Sequence, residues 1–142
     1  MDNKLIECGA NIIAFRKNNI NYGMCCAWAM MTDYDKILCL LGSQSVTGKN
    51  INKGDIIGVS ALSINQEKIA YAIGDKHSDE VDKFKNIKYK IQDSAILIED
   101  SSRMMVVEVI DVLHLQGIES DNLVYGKVIN VEKNDIDFYQ FK

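Results

Sequence analysis

The sequence predicts a mainly β domain with short helices, arranged as a small barrel. Short runs of strand-favouring residues recur along the chain, and turns rich in Asn, Asp, Gly and Ser separate them. One helical pattern lies between two groups of strands, and about six strands in such an order are typical of small barrels. A chain of 142 residues without proline, repeat or low-complexity segment is expected to form a single domain over residues 1–142.

Charge and hydropathy disfavour nucleic acids and membranes as partners. Nucleic acids and anionic membranes are bound mainly through clustered Lys and Arg, whereas the lysines here are interspersed with acids and the net charge is −4. No apolar run approaches the roughly 20 residues that span a bilayer, and the N-terminal residues show no signal-peptide core. We therefore expect a cytoplasmic protein with no nucleic-acid and no membrane partner.

The cysteine pattern predicts neither a disulfide framework nor a metal site. The spacing is not C-x-x-C, and it does not combine with His77 and His114 at the intervals of a zinc site. Cysteines in apolar runs usually behave as small buried hydrophobes. A redox pair of the two adjacent cysteines remains the alternative. The four residues are Cys8, Cys25, Cys26 and Cys39.

Apolar runs predict the strands. Residues 12–15 form one short run, and residues 24–31 are almost entirely apolar. The loss of alternation in the second run predicts a strand covered on both faces, as in a closed barrel or at a subunit contact. Residues 32–36 then form a turn, and residues 37–41 return as the partner strand of a hairpin. Further strands are predicted at residues 56–61, 95–99, 104–115 and 123–131.

One helix carries a clear start signal. Ser63 and Gln66 have the spacing of a capping box, in which each side chain satisfies a free backbone amide of the other residue. Gly74 is a suitable C-terminal stop. The apolar face of this helix is predicted to consist of Ile64, Ile69, Ala72 and Ile73.

The turn after the hairpin combines small, hydroxyl-bearing and glycine residues. One or two helical turns starting at Ser45 or Thr47 would be capped by those hydroxyls. Converging hydroxyls, free amides and a nearby lysine also suit a phosphate, and Gly42 and Gly48 let the backbone come close to a ligand. The alternative is a polar turn that only caps a short helix.

Four stretches occur in an order typical of one family. They are Met-Cys-Cys-Ala-Trp-Ala (residues 24–29), Gly-Ser-Gln-Ser-Val-Thr-Gly-Lys-Asn-Ile (42–51), Gly-Val-Ser-Ala-Leu-Ser-Ile-Asn-Gln-Glu (58–67) with Val-Asp-Lys-Phe (81–84), and Val-Glu-Val-Ile-Asp-Val (107–112) with Asn-Leu-Val-Tyr-Gly-Lys-Val (122–128). In this order they resemble the flavin reductase-like family of FMN-binding split barrels. That family includes flavoredoxin and NAD(P)H:flavin oxidoreductases.

The resemblance implies a cofactor-binding role for three groups of residues. The first stretch would line the isoalloxazine ring with Met24, Cys25, Cys26, Ala27 and Trp28. The turn would hold the phosphate with Ser43, Gln44, Ser45, Thr47 and Lys49. A loop and helix that approach the flavin would add Lys76, His77, Ser78 and Lys83.

Several of these residues also have a purely structural interpretation. Taken alone, Trp28 is a core aromatic, and His77 is an exposed loop histidine. His114 lies in a strand pattern, which favours a structural role or a place at a subunit contact.

The resemblance implies an FMN-dependent oxidoreductase, most simply an NADH- or NADPH-dependent flavin reductase, that acts as a homodimer. The flavin carries the chemistry, so no catalytic residue is named. One alternative is a flavoredoxin-like electron carrier without nicotinamide activity, served by a redox protein partner, since the short chain leaves little sequence for a nicotinamide lid. Another is a split barrel that binds no flavin and takes another planar ligand such as haem, through His77 or His114.

Overall fold

A computed structural model describes residues 4–74 and 83–141 of the chain. These residues form nine strands and two short helices. The strands are β1 (Asn11–Lys17), β2 (Ile20–Cys26), β3 (Ala29–Asp33), β4 (Lys36–Leu41), β5 (Ile56–Ala61), β6 (Tyr89–Gln92), β7 (Ala95–Ile98), β8 (Arg103–Leu113) and β9 (Asn122–Lys133). The helices are α1 (Val46–Lys49) and α2 (Glu67–Gly74).

All nine strands belong to one antiparallel sheet. The pairing runs in the order β3-β4-β9-β8-β5-β1-β7-β6, and β2 pairs with β1 beside this path. β1 has three neighbouring strands, because it pairs with β2, with β5 and, through Phe15 and Ala95, with β7. The expectation of a mainly β fold with short helices is confirmed. The pairing of the described strands leaves the sheet open rather than closed into a barrel.

Two clusters of buried side chains lie on opposite sides of β1. Ile13 and Phe15 belong to the first core cluster, with residues of β4, β5, β8 and β9. Ile12 and Ala14 belong to the second core cluster, beneath α2 and Phe84. Side chains alternate along a strand, so β1 supplies both clusters. The two layers together hold the strands that form the candidate site.

The continuous apolar run at residues 24–31 is two strands rather than one. β2 ends at Cys26 and pairs with β1, whereas β3 begins at Ala29 and pairs with β4. Trp28, Met30 and Met31 are each 62% exposed. The expectation that this run is covered on both faces is therefore wrong for the isolated chain, because the chain changes partner strand after Cys26. The predicted hairpin is formed by β3 and β4.

The helix with the capping box forms, but its apolar face differs from the predicted one. The backbone amide of Ser63 donates to the Gln66 side chain at 2.9 Å, and the described part of α2 extends to Gly74. Ala70 and Ile73 are the buried residues of α2, while Ile64 precedes the helix and is 57% exposed. Ile69 and Ile73 pack against the second core cluster as predicted. Ala72 is exposed instead, and Ala70 is buried in its place.

An apolar surface covers the outer face of β3, β4, β8 and β9. We call it the outer apolar face. On β4 the side chains of Ile37, Cys39 and Leu41 are buried, so the alternate residues point outward. Register pairs then place neighbours from the other strands on the same side. Its apolar members are Met30, Leu38, Leu40, Leu113, Leu123 and Tyr125. By the same register the exposed residue Asp111 lies on this side, opposite Tyr125.

Among residues 4–74 and 83–141, no helix is both long enough and apolar enough to span a membrane.

Candidate functional site

The strand β2 presents its residues alternately to the two core clusters. Met24 and Cys26 contact the first core cluster, and Cys25 contacts the second. The side-chain amide of Asn11 donates to the carbonyl oxygen of Cys26 at 3.1 Å, which fixes the end of the strand. Adjacent cysteines on an extended strand point to opposite faces. This arrangement does not suit a Cys25–Cys26 redox pair.

Trp28 lies in the connection between β2 and β3, and its backbone is held by hydrogen bonds. The carbonyl oxygen of Trp28 accepts from the amide of Leu40 at 2.9 Å and from the Cys26 thiol at 3.4 Å. The side chain is 62% exposed. Trp28 is thus not a core aromatic of this chain, and its indole is available at the surface.

Ser45 connects the turn at residues 42–49 to β2. Its side-chain oxygen accepts from the amide of Gly48 at 3.0 Å, as the N-cap of α1. Its hydroxyl donates to the thioether sulfur of Met24 at 3.0 Å. The two stretches predicted from the sequence to bind the ring and the phosphate are therefore in direct contact.

The other residues of the turn differ in accessibility. Thr47 is buried, with 2% of its surface exposed, whereas Gln44 and Lys49 are exposed. The backbone amide of Ser43 donates to the carboxylate of Asp121 at 2.9 Å. Asp121 directly precedes β9, whose Asn122 pairs with Leu41 of β4, so it anchors the turn to the neighbouring strand.

Lys83 reaches β2 from the segment that follows α2. Its ammonium group donates to the carbonyl oxygen of Gly23 at 2.7 Å. The ring of Phe84 lies against Gly23 so closely that a Cβ there would collide with it. Lys83 therefore contacts the backbone of the residue that directly precedes Met24. The other predicted members of this group, Lys76, His77 and Ser78, lie outside the described residues.

All four cysteines are free thiols. Cys26 and Cys39 are buried as expected, whereas Cys8 and Cys25 are partly exposed. Burial, together with the nearby Cys26, raises the pKa of Cys25 from 9.0 to about 12. A side-chain hydrogen bond to Cys26 and complete burial raise the pKa of Cys39 well above its usual value. The hydrogen bond with Cys39 lowers the pKa of Cys26. The thiols of Cys25 and Cys39 stay neutral, so they offer weak hydrogen bonds rather than charge.

A cleft of about 530 Å³ opens between α1 and the ends of β8 and β9, and we call it the hairpin cleft. His114 lines it, exposed, with its ring nitrogen Nδ1 3.1 Å from the carbonyl oxygen of Asp121. Ser43 and Lys49 of its lining belong to the predicted phosphate turn, whereas the sequence pattern gave no reason to single out Lys53 or Asn122 as ligand residues. Residues lining the cleft include Ser43, Gly48, Lys49, Lys53, His114 and Asn122.

In the described part of the chain, no three His, Cys, Asp or Glu side chains come together in a way that could hold a metal ion.

The model of one protein family, the flavin reductase like domain, matches residues 9–140. The chain belongs to this family. The resemblance that four stretches of the sequence carried is thereby confirmed. Because the match includes both β2 and the turn at residues 42–49, the two groups of candidate residues lie within the flavin reductase-like domain.

Solved structures with the same fold include three flavin proteins. The NADH:FAD oxidoreductase of Streptomyces globisporus has a TM-score of 0.86 at 18% identity, over 96% of this chain and 82% of that one. An FMN-binding protein of Thermus thermophilus has a TM-score of 0.79 at 16% identity, over 92% of this chain and 74% of that one. The flavoredoxin of Methanosarcina acetivorans has a TM-score of 0.78 at 12% identity, over 95% of this chain and 74% of that one. At these identities the similarity establishes the fold.

Comparison with curated proteins gives no match.

Proposed function

We propose that the chain is a flavin-dependent oxidoreductase that binds FMN non-covalently and takes reducing equivalents from NADH or NADPH. Residues of β2 and Trp28 contact the ring, and the turn at residues 42–49 holds the phosphate. The contact between Ser45 and Met24 is the observation that carries this proposal. It places a hydroxyl-bearing turn next to β2, the strand that we propose binds the ring.

The hydrogen bonds of Ser45 suit a phosphate ligand. A hydroxyl has one donor and two acceptor positions. As N-cap, Ser45 accepts from Gly48, while its proton is directed at the sulfur of Met24, a weak acceptor. A phosphate oxygen is a far stronger acceptor, so the hydroxyl can donate to it without giving up the cap. Lys49 adds a cation at the end of the same short helix.

The residues around β2 suit a neutral aromatic ring. The thiol of Cys25 stays protonated because burial raises its pKa to about 12, and Trp28 offers an exposed aromatic surface. A bound flavin would supply the hydride and electron transfer. The chain itself would position the ring and limit its contact with water.

We also propose that the protein is a homodimer whose subunits meet through the outer apolar face. Met30 is 62% exposed and Leu113 is 39% exposed, and both lie among apolar neighbours. Contiguous apolar patches of this kind usually mark a protein contact. The face continues toward Trp28, because Trp28 bonds to Leu40 through its backbone. A partner subunit would therefore cover the surface next to the ring-binding residues.

Titration of the purified protein with FMN tests flavin binding. Quenching of flavin fluorescence and a shifted visible spectrum are expected. Lys49→Gln should weaken FMN by about fivefold to tenfold, the effect of losing one charge-assisted hydrogen bond, and should leave riboflavin affected little. Lys68→Gln, an exposed lysine on α2, serves as the matched control. No quenching, or equal loss of FMN and riboflavin, would refute the assignment of flavin or of its phosphate.

Consumption of NADH or NADPH with added FMN separates a reductase from an electron carrier. Steady turnover supports the reductase. Flavin binding without any nicotinamide oxidation would instead support a carrier that a redox protein partner reduces.

A further inference from the structure

Asn11 occupies a position where its residue type is unusual. It is the first residue of β1, and Asn is depleted in β-strands. Side chains alternate along a strand, so Asn11 shares a face of β1 with Ile13 and Phe15, which are buried in the first core cluster. A polar side chain beside an apolar cluster is costly unless it is hydrogen-bonded. Asn11 finds its partner on β2.

The partner of Asn11 is the backbone of Cys26. The side-chain amide of Asn11 donates to the carbonyl oxygen of Cys26 at 3.1 Å. The two residues are also register partners, and Cys26 is the last residue of β2. The carbonyl group of Cys26 is therefore held toward β1 at the point where the chain leaves the strand.

This hydrogen bond sets the direction of the next amide. The peptide bond between Cys26 and Ala27 is trans, and the N–H of a planar trans peptide points opposite to its C=O. The amide of Ala27 therefore points away from β1. Ala27 is partly exposed, and its amide has no backbone acceptor among the described residues. It is thus a donor available to a ligand.

The amide of Ala27 lies on the edge of β2 that faces away from β1. Among the described strands, β2 pairs with β1 alone. Backbone groups alternate between the two edges of a strand, so the carbonyl oxygen of Gly23 shares this free edge. It accepts from the ammonium group of Lys83 at 2.7 Å. Polar groups from outside the sheet can therefore reach the free edge of β2.

The connection that follows β2 is also held at its other end. The carbonyl oxygen of Trp28 accepts from the amide of Leu40 on β4 at 2.9 Å. Asn11 and Leu40 thus fix the peptide groups before Ala27 and after Trp28. A donor that is oriented before a ligand arrives loses little conformational freedom on binding.

We propose that Asn11 is a positioning residue of the ring site, which holds the amide of Ala27 in place to donate to an acceptor atom of the flavin ring. This role rests on the proposed function, in which residues of β2 and Trp28 contact the ring. The ring offers carbonyl oxygens and unprotonated nitrogens as acceptors. Asn11 acts on them only through the peptide group between Cys26 and Ala27.

Two substitutions remove the side-chain donor in different ways. Asn11→Asp keeps the shape of the side chain and adds a charge, whereas Asn11→Ala removes the polar group without adding a charge. Both should weaken FMN by about fivefold, the effect of one hydrogen bond. Riboflavin should be weakened by the same factor, because the two flavins share the ring, whereas a residue that holds the phosphate affects FMN alone.

Asn134→Asp is the matched control. The side chain of Asn134 donates to the carbonyl oxygen of Ser101 at 2.8 Å. Asn134 directly follows β9, and β1, β5 and β8 lie between β9 and β2 in the sheet. This variant also loses a bond from a side-chain amide to a backbone carbonyl, so urea unfolding should show a comparable loss of stability. It should bind both flavins as the wild type does.

The amide resonance of Ala27 gives a measurement that a merely structural role of Asn11 would not change. In the ¹⁵N-labelled apoprotein, riboflavin should shift this resonance strongly in the wild type and in Asn134→Asp, and only weakly in the two Asn11 variants. Flavin binding that is unchanged in both Asn11 variants, or weakened in Asn11→Asp alone, would overturn this role and leave the proposed function intact. A wild type that binds no flavin would refute the proposed function, and this role with it.

Discussion

The Cys25 thiol is expected to make stability depend on alkaline pH. Its pKa rises from 9.0 to about 12 because burial and the nearby Cys26 disfavour the thiolate. In the unfolded chain the thiol loses its proton near its ordinary pKa, so its contribution to stability is complete below about pH 9 and is lost as the pH rises toward 12. The free energy of unfolding of the wild type should thus fall more steeply than that of Cys25→Ala over this window.

Urea unfolding of the apoprotein at several pH values measures this difference. The slope difference is at most about 1.4 kcal/mol per pH unit, the value for one proton. The difference between the two proteins at pH 7 serves as the reference, since it contains the packing cost of the substitution alone. Parallel profiles from pH 9 to pH 12 would show that burial does not keep this thiol neutral.

The helix cap in the turn was predicted from the chemical type of one residue. Ser45 caps α1, as its position before a short helical pattern indicated. Thr47 illustrates the limit of such reasoning, because a hydroxyl at that position faces the interior and is 2% exposed. Sequence gives the donor groups of a turn, but their directions depend on how the turn packs against β2.

Among the elements, α1 should depend on Ser45 for its stability. The helix has four residues, so it cannot form by propensity alone. Ser45→Ala removes the acceptor for the Gly48 amide and should lower the free energy of unfolding by about 1 kcal/mol. Urea unfolding of the apoprotein measures this change. Ser45→Asp is the matched variant, because Asp is an equally good N-cap.

Recovery of stability in Ser45→Asp together with loss of FMN affinity would separate the two roles of this side chain. An added negative charge repels a phosphate, although it satisfies the same amide. Equal stability of Ser45→Ala and wild type would mean that the cap contributes nothing to α1.

Strand identity was predicted more reliably than strand partnership. The runs at residues 37–41 and 56–61 match β4 and β5, since period and composition are local properties. The uniform apolar composition of residues 24–31 predicts one strand. The run is divided because β2 pairs with β1 whereas β3 pairs with β4. Pairing between separate strands is not encoded in a local sequence pattern.

At the scale of the whole molecule, the outer apolar face is expected to be an interface between two copies of the chain. Met30→Arg places a charge on the face, and a charge without a partner is costly to bury. We expect this variant to sediment as a monomer while the wild type sediments as a dimer. Ile91→Arg is the control, since Ile91 is 38% exposed on β6, at the opposite end of the sheet.

Circular dichroism of both variants shows whether they are folded, so that dissociation is not confused with unfolding. A monomeric wild type, or a folded Met30→Arg variant that remains dimeric, would rule out this interface.

The sequence by itself determined the mainly β class, the capped turn at residues 42–49 and the flavin reductase-like family. These follow from local composition and from the order of motifs along the chain. The tertiary structure decided what those pieces form together, because contacts between distant residues are set by packing. Gly58 shows this well, since a Cβ there would collide with the carbonyl oxygen of Ile96, although its neighbours only indicate a strand. In the same way, only the fold brings Ser45 to Met24 and joins Lys49 and Lys53 to β8 and β9 around one cleft.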